Sequence, residues 1–195
     1  MRESRYTRIE SLVCDAARVL QKYLDVPFAF FGHSMGALVA FELARRLRGK
    51  YGLSPVHLFV SAHRAPHLPD PNPLICHLPD DELVAEIQRR YDGIPTEVTQ
   101  ASELLDYLLP VLRADLKMDE TYTYSPERPF SCAITAFGGQ QDTEVNYEQL
   151  AAWRDHTTAS FKIKIFPGGH FFIQSSEAPM LEIISKELMA SLVQA

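Results

Sequence analysis

Cysteine is scarce in this chain: Cys14, Cys76 and Cys132 are the only three among 195 residues. An odd count with no Cys-x-x-Cys pair excludes a disulfide framework and a zinc ribbon, and fits a reducing cytoplasm. Long apolar runs are missing as well. No stretch reaches the roughly 18 residues of a membrane span. The opening MRESRYTRIES is charged where a signal peptide would carry its apolar segment. Positive charge is in deficit, with 19 Lys+Arg against 25 Asp+Glu and a net charge of −6. That balance suits neither a nucleic-acid backbone nor an anionic membrane. The absence of repeats and low-complexity tracts sets aside solenoids and tails. What is there, 46% hydrophobic and 23% charged residues, is the composition of one globular domain over 1–195.

Periodicity supplies the elements. Thr7 to Leu24 predicts an amphipathic helix, with Ile9, Leu12, Val13, Ala16, Leu20 and Tyr23 at three- and four-residue steps and a Thr7–Glu10 capping box. Pro27–Phe31 is short and wholly apolar, as a buried parallel strand is. After Gly32-His33-Ser34-Met35-Gly36, a helix is expected from Ala37 to Lys50, with Leu38, Phe41, Ala44 and Leu47 inward and Gly49 and Gly52 at its end. The basic residues Arg45, Arg46, Arg48 and Lys50 read as cations complementing the helix C-terminus. Val56–Ala62 and Phe130–Phe137 are further strands. Between them, roughly Pro66 to Tyr124 shows helical pieces near Asp80–Tyr91 and Ser102–Met118 but no strand. A connection that long predicts an inserted helical lid. Tyr147–Trp153 reads as helix and Phe161–Phe166 as an edge strand. A last helix opens at Pro179, with Leu181, Ile184, Leu188 and Leu192 inward. The alternation predicts an α/β fold with a parallel sheet and chemistry at the carboxyl ends of its strands.

Gly32-x-Ser34-x-Gly36 falls where a strand turns into a helix, the setting a nucleophile elbow requires. The turn would lift the Ser34 hydroxyl clear of the sheet and aim the Met35 N–H at a developing oxyanion. A serine hydroxyl needs a base, and seven histidines compete: His33, His57, His63, His67, His77, His156 and His170. His33 is expected to point away from the Ser34 pocket, and His156 to end a surface helix. His170 follows the last strand behind two glycines and comes last in the order Ser…Asp…His. His63 and His67, at the carboxyl end of the second strand, stay open as alternatives. The acid is expected after the third strand, at Asp142, with Glu144 as its nearest rival.

Pro27–Ala37, Phe59–Pro66, Leu112–Leu116 and Phe166–Phe172 together resemble the type II thioesterases, stand-alone α/β-hydrolases that accompany nonribosomal peptide and polyketide synthases. Similar segments occur in the animal medium-chain fatty-acyl thioesterase. The resemblance implies an α/β-hydrolase parallel sheet, truncated here to about four strands, with helices on both faces and a mobile lid over about 68–124. It implies a Ser34, Asp142 and His170 triad with no metal or organic cofactor. It also implies a monomer acting on acyl groups carried by the phosphopantetheine arm of a carrier-protein domain. Leu112–Leu116 would lie on the lid side of the chamber. Two departures stand out. Gln141 replaces the first of two acidic residues usual in the family. In addition, Arg2-Glu3-Ser4-Arg5 resembles a family stretch that follows the first strands and a glycine-rich loop. The expectation is therefore a chain truncated at its N-terminus or given a late start, lacking the second oxyanion N–H, poorly active and prone to associate. A carboxylesterase or lipase, and an inactive carrier-binding remnant, stand as alternatives.

Overall fold

The computed structural model describes residues 5–91 and 102–194. The predicted lid residues between 92 and 101, Pro95 among them, and the Arg2–Ser4 stretch lie outside these. Four parallel strands, β1 (Ala29–His33), β2 (His57–Ser61), β3 (Ala133–Gly139) and β4 (Phe161–Phe166), run in the spatial order β1-β2-β3-β4. Helices α1 (Ile9–Leu20), α2 (Met35–Tyr51), α3 (Asp80–Tyr91), α4 (Ser102–Glu120), α5 (Tyr147–Ala151), α6 (Phe172–Ser175) and α7 (Glu177–Gln194) complete the described order, with 3₁₀ turns at Gln21–Tyr23 and Ala152–His156. None of the described helices is long and apolar enough to cross a membrane.

The two-residue period of the strands sorts their side chains between two layers. Leu58 and Val60 of β2, with Ile134 and Ala136 of β3, bury against Ala37, Phe41 and Ala44 of α2, Leu150 of α5 and Trp153. Phe59 and Phe137 point the other way, to Phe166, Phe172 and Met180. Helices therefore cover both faces, as a parallel sheet requires. Helix α1 packs Ile9, Val13 and Ala17 on Leu38, Leu43 and Leu47 of α2. Between β2 and β3, the segment bearing α3 and α4 forms its own cluster of Ile75, Leu83, Ile87 and Leu109.

Several local expectations need correcting. Arg8, not Thr7, occupies the N-cap of α1 and makes no side-chain cap bond. Glu10 instead pairs with Arg8, both well exposed. Tyr23 is 62% exposed, because the 3₁₀ turn rotates it off the helical stripe. Gly49 lies inside α2, and Gly52 alone ends it, at φ 69°. β3 begins at Ala133; Phe130 makes only a single bridge, to Thr157. Arg45 and Arg48 do more than complement a helix end. Arg45 is buried against Glu42 and Glu127 and donates to the Ser125 carbonyl, and Arg48 donates to the carbonyls of Arg128 and Pro129. Together they clamp the approach to β3. In α7, Leu181 and Leu192 are exposed. Ile184 and Leu188 face inward as expected, joined by Met180, Ile183 and Glu187. Glu187 pairs with Lys162 of β4 at 2.7 Å, and Ser191 bonds His57 of β2 at 2.9 Å.

Candidate active site

β1 ends at His33 and α2 begins at Met35, so Ser34 alone makes the turn, at φ 55° and ψ −131°. A positive φ is strained for a residue with a Cβ, and packing holds it here. The Ser34 N–H donates to the Ser61 carbonyl at 2.8 Å, fastening the elbow to the end of β2. A Cβ on Gly32 would sit 2.0 Å from the Gly36 carbonyl oxygen, so strand and helix can cross only over a glycine there. A Cβ on Gly36 would meet open space, so that position does not need glycine for the approach.

The loops after β3 and β4 are pinned to each other. Gln140 N–H donates to Phe166 O at 2.8 Å and Gln141 N–H to Gly168 O at 2.9 Å. Gly168 has φ +110°, and a Cβ on Gly139 would lie 2.3 Å from Gly169 O. This close crossing sets Asp142 beside His170. The Asp142 side chain is fully buried; Oδ1 accepts from the N–H groups of Glu144 and Val145 at 2.9 and 3.3 Å. His170 Nδ1 stands 3.0 Å from Asp142 Oδ2, and Nε2 stands 2.9 Å from Ser34 Oγ. A carboxylate only accepts, so Nδ1 carries the proton and Nε2 offers its lone pair to the serine hydroxyl. The structure thus brings Ser34, His170 and Asp142 into one relay. Met35 opens α2, where first-turn N–H groups have no partner within the helix.

The other candidates lie elsewhere. Glu144 accepts from Asn72 at 3.0 Å, and no hydrogen bond joins it to His170. His57 bonds Thr135 and Ser191. His67 Nδ1 and His156 Nε2 face each other at 2.8 Å. His156 is buried against Phe41 and Trp153, not on a surface helix. His77 is exposed. His63 meets Asp119 at 3.0 Å and the Arg64 carbonyl at 2.7 Å. His33 corrects its expectation most sharply: it lines the Ser34 chamber, its ring centroid 5.4 Å from that of His170. Nδ1 bonds Ser61 Oγ at 2.9 Å, and Nε2 is buried with no partner among the described residues. Burial, then the nearby His170, push its pKa down to about 4, so it stays neutral beside the relay.

The relay opens into a chamber of about 320 Å³, walled by Met35, Ile87, Tyr91, Leu112, Leu116 and Phe171, with Asp115 and Asp119 on the same helix. Tyr91 packs edge-on against His170 at 4.9 Å. Its place could have been read from the sequence, since Leu83, Ile87 and Tyr91 recur at four-residue steps along α3.

A serine, an imidazole and a buried carboxylate in this order have the geometry that acyl transfer needs. A family model described as the thioesterase domain matches residues 1–188. The chain belongs to this thioesterase domain family. It is 46% identical over 194 residues to the protein named linear gramicidin dehydrogenase LgrE of Brevibacillus parabrevis, covering 98% of this chain and 73% of that one. That name carries a redox activity; the family match and the relay carry a hydrolytic one. Among solved structures, RedJ, a thioesterase of the prodiginine pathway in Streptomyces coelicolor, superposes with TM-score 0.86 at 39% identity, covering 95% of this chain and 70% of RedJ. The type II thioesterase BorB of the borrelidin cluster gives TM-score 0.85 at 38% identity, with 94% and 74% covered. As a thioesterase, the protein is a hydrolase of thioesters with an α/β-hydrolase fold.

Proposed function

We propose that this protein releases acyl or peptidyl groups from the phosphopantetheine arms of carrier-protein domains, as an editing thioesterase of nonribosomal peptide or polyketide synthesis. The observation that carries the reading is the Ser34–His170–Asp142 relay, at 2.9 and 3.0 Å, opening into an apolar chamber. Relatives named for such pathways support the choice of substrate.

In this reading Ser34 Oγ attacks the thioester carbonyl while its proton passes to His170 Nε2. Asp142 holds the ring and stabilises the imidazolium that forms. The Met35 N–H receives the oxyanion. Collapse breaks the carbon–sulfur bond, and His170 returns its proton to the departing thiolate. Water then enters, loses a proton to His170 and attacks the acyl-Ser34 ester. A second collapse restores Ser34 and frees the carboxylic acid. Every proton moves through protein groups and water, so the cycle calls on no metal or organic cofactor. The pantetheine arm belongs to the substrate. One chain supplies the whole relay, consistent with a monomer working in the cytoplasm, where Cys14, Cys76 and Cys132 stay unpaired.

Thiol release from a butyryl-pantetheine thioester, measured beside hydrolysis of ethyl butyrate and of a butyryl-loaded carrier domain, tests the proposal. Turnover of the thioesters well above that of the oxoester is expected. Preference for the oxoester would make the protein an esterase. Carrier binding without turnover of any substrate would make it a scaffold.

A further inference from the structure

The chamber wall contributed by α4 is a single stripe, Leu112, Asp115, Leu116 and Asp119, at steps of three and four residues. Two of these four are carboxylates in an otherwise apolar wall, and they are not equivalent. Asp119 is matched: His63 Nε2 reaches it at 3.0 Å. Nδ1 of the same ring faces the Arg64 carbonyl at 2.7 Å. Burial alone would raise the Asp119 pKa, but His63 and Arg64 outweigh it and hold the carboxyl below its usual range. The reacting groups of the chamber are engaged, with Ser34 and His170 bonded to each other. His33 is held through Nδ1 by Ser61, while its Nε2 has no partner among the described residues and burial keeps the ring neutral.

Asp115 has no such match. Among the described residues it makes no hydrogen bond or ion pair, and burial, unopposed by any cation, raises its pKa. The neighbouring cation Arg113 is spent on Asp80 and the Cys76 carbonyl, pointing away from the stripe. Half-buried between Leu112 and Leu116, the carboxylate has no protein donor among the described residues, and a substrate that displaced its water would have to replace those hydrogen bonds. An acceptor-only group in a substrate chamber is complemented by a donor that arrives with the substrate. The thioester group brings none, because its oxygen and sulfur only accept. We infer that Asp115 is an acceptor subsite for an N–H group carried by the thioester substrate, supplied by the first amide of the pantetheine arm or by an amino group on the acyl chain. This deepens the thioesterase reading and rests on it.

Three thioesters separate the sources: S-butyl thiobutyrate (no N–H), the N-acetylcysteamine thioester of butyrate (arm amide only) and the S-butyl thioester of 2-aminobutyrate (amine only). An amine also activates the carbonyl, so the readout is the variant-to-wild-type ratio of kcat/KM for each substrate. Asp115→Leu should lower the ratio about tenfold or more for one N–H-bearing thioester. The ratio for S-butyl thiobutyrate sets the baseline for any change in chamber shape, its measurable turnover shows that the variant folds, and the tenfold fall is read relative to it. Asp115→Ala takes the place of the leucine variant if that chain is insoluble. The substrate that falls names the donor. Asp115→Asn, which keeps a carbonyl acceptor, should spare an amide donor and impair an ammonium one. Equal ratios for all three thioesters would overturn the subsite while leaving the thioesterase intact. Failure of the wild type to cleave any of them would overturn the thioesterase reading, and the subsite with it.

Discussion

Asp142 serves two ends with one side chain, holding His170 through Oδ2 and its own loop through Oδ1. Asparagine can keep the loop bond but offers an N–H where His170 needs an acceptor, and so favours the wrong tautomer. Asp142→Asn is therefore expected to lower kcat by about three to four orders of magnitude, with the thermal midpoint little changed. Glu144→Gln, which perturbs only the bond to Asn72, should leave kcat within about threefold. Steady-state thiol release decides between them, and a larger loss for Glu144→Gln would reverse the assignment of the acid. Asp142 and His170 were legible because strand order alone places them at the ends of β3 and β4. His33 was not. The elbow motif states which residues flank Ser34, but nothing in it tells that Ser61 hydroxyl and the Phe171 and Phe172 rings fold the imidazole toward the chamber.

Among the elements, the β1–α2 crossing separates the two glycines of the motif. Gly32→Ala forces a Cβ to within 2.0 Å of a backbone oxygen that cannot yield without breaking the elbow. It should abolish turnover and lower the thermal midpoint sharply. Gly36→Ala adds a methyl into open space in the first turn of α2. It should leave the midpoint unchanged or raise it, by up to about 1 kcal/mol of stability. Thermal unfolding of the two variants checks the contrast, and equal destabilisation would contradict the crossing geometry. The helices and strands were legible wherever one apolar period dominates: α3 and β4 begin and end where the pattern does. The last helix was misjudged for a physical reason. Its inward face includes the buried Glu187 and the half-buried Ser191, whose partners Lys162 and His57 lie on the sheet. Burial of polar groups by cross-element bonding leaves no trace in a hydrophobic stripe.

Across the whole molecule, His33, His57 and His156 share one behaviour. Burial holds each near a pKa of about 4, against the usual 6.5. Between those values the folded chain keeps them neutral while the unfolded chain binds protons. Unfolding therefore takes up protons, and stability falls as pH drops from about 6.5 toward 4. Asp119 and Glu127, whose pKa values are lowered by cationic partners that outweigh burial, add to the loss at still lower pH. The urea midpoint at pH 5 should lie clearly below that at pH 7. An unchanged or higher midpoint would mean that these imidazoles are not held neutral by the fold.

Ser34 is the group proposed to take the acyl chain. The most direct measurement is the rate of thiol release from butyryl-pantetheine by the protein and by its Ser34→Ala variant, at equal concentration and with matched circular dichroism. The relay predicts a fall of at least about a thousandfold, to near the uncatalysed rate. A variant that retains turnover within about tenfold of the parent would contradict it and send the search for the nucleophile elsewhere in the chamber.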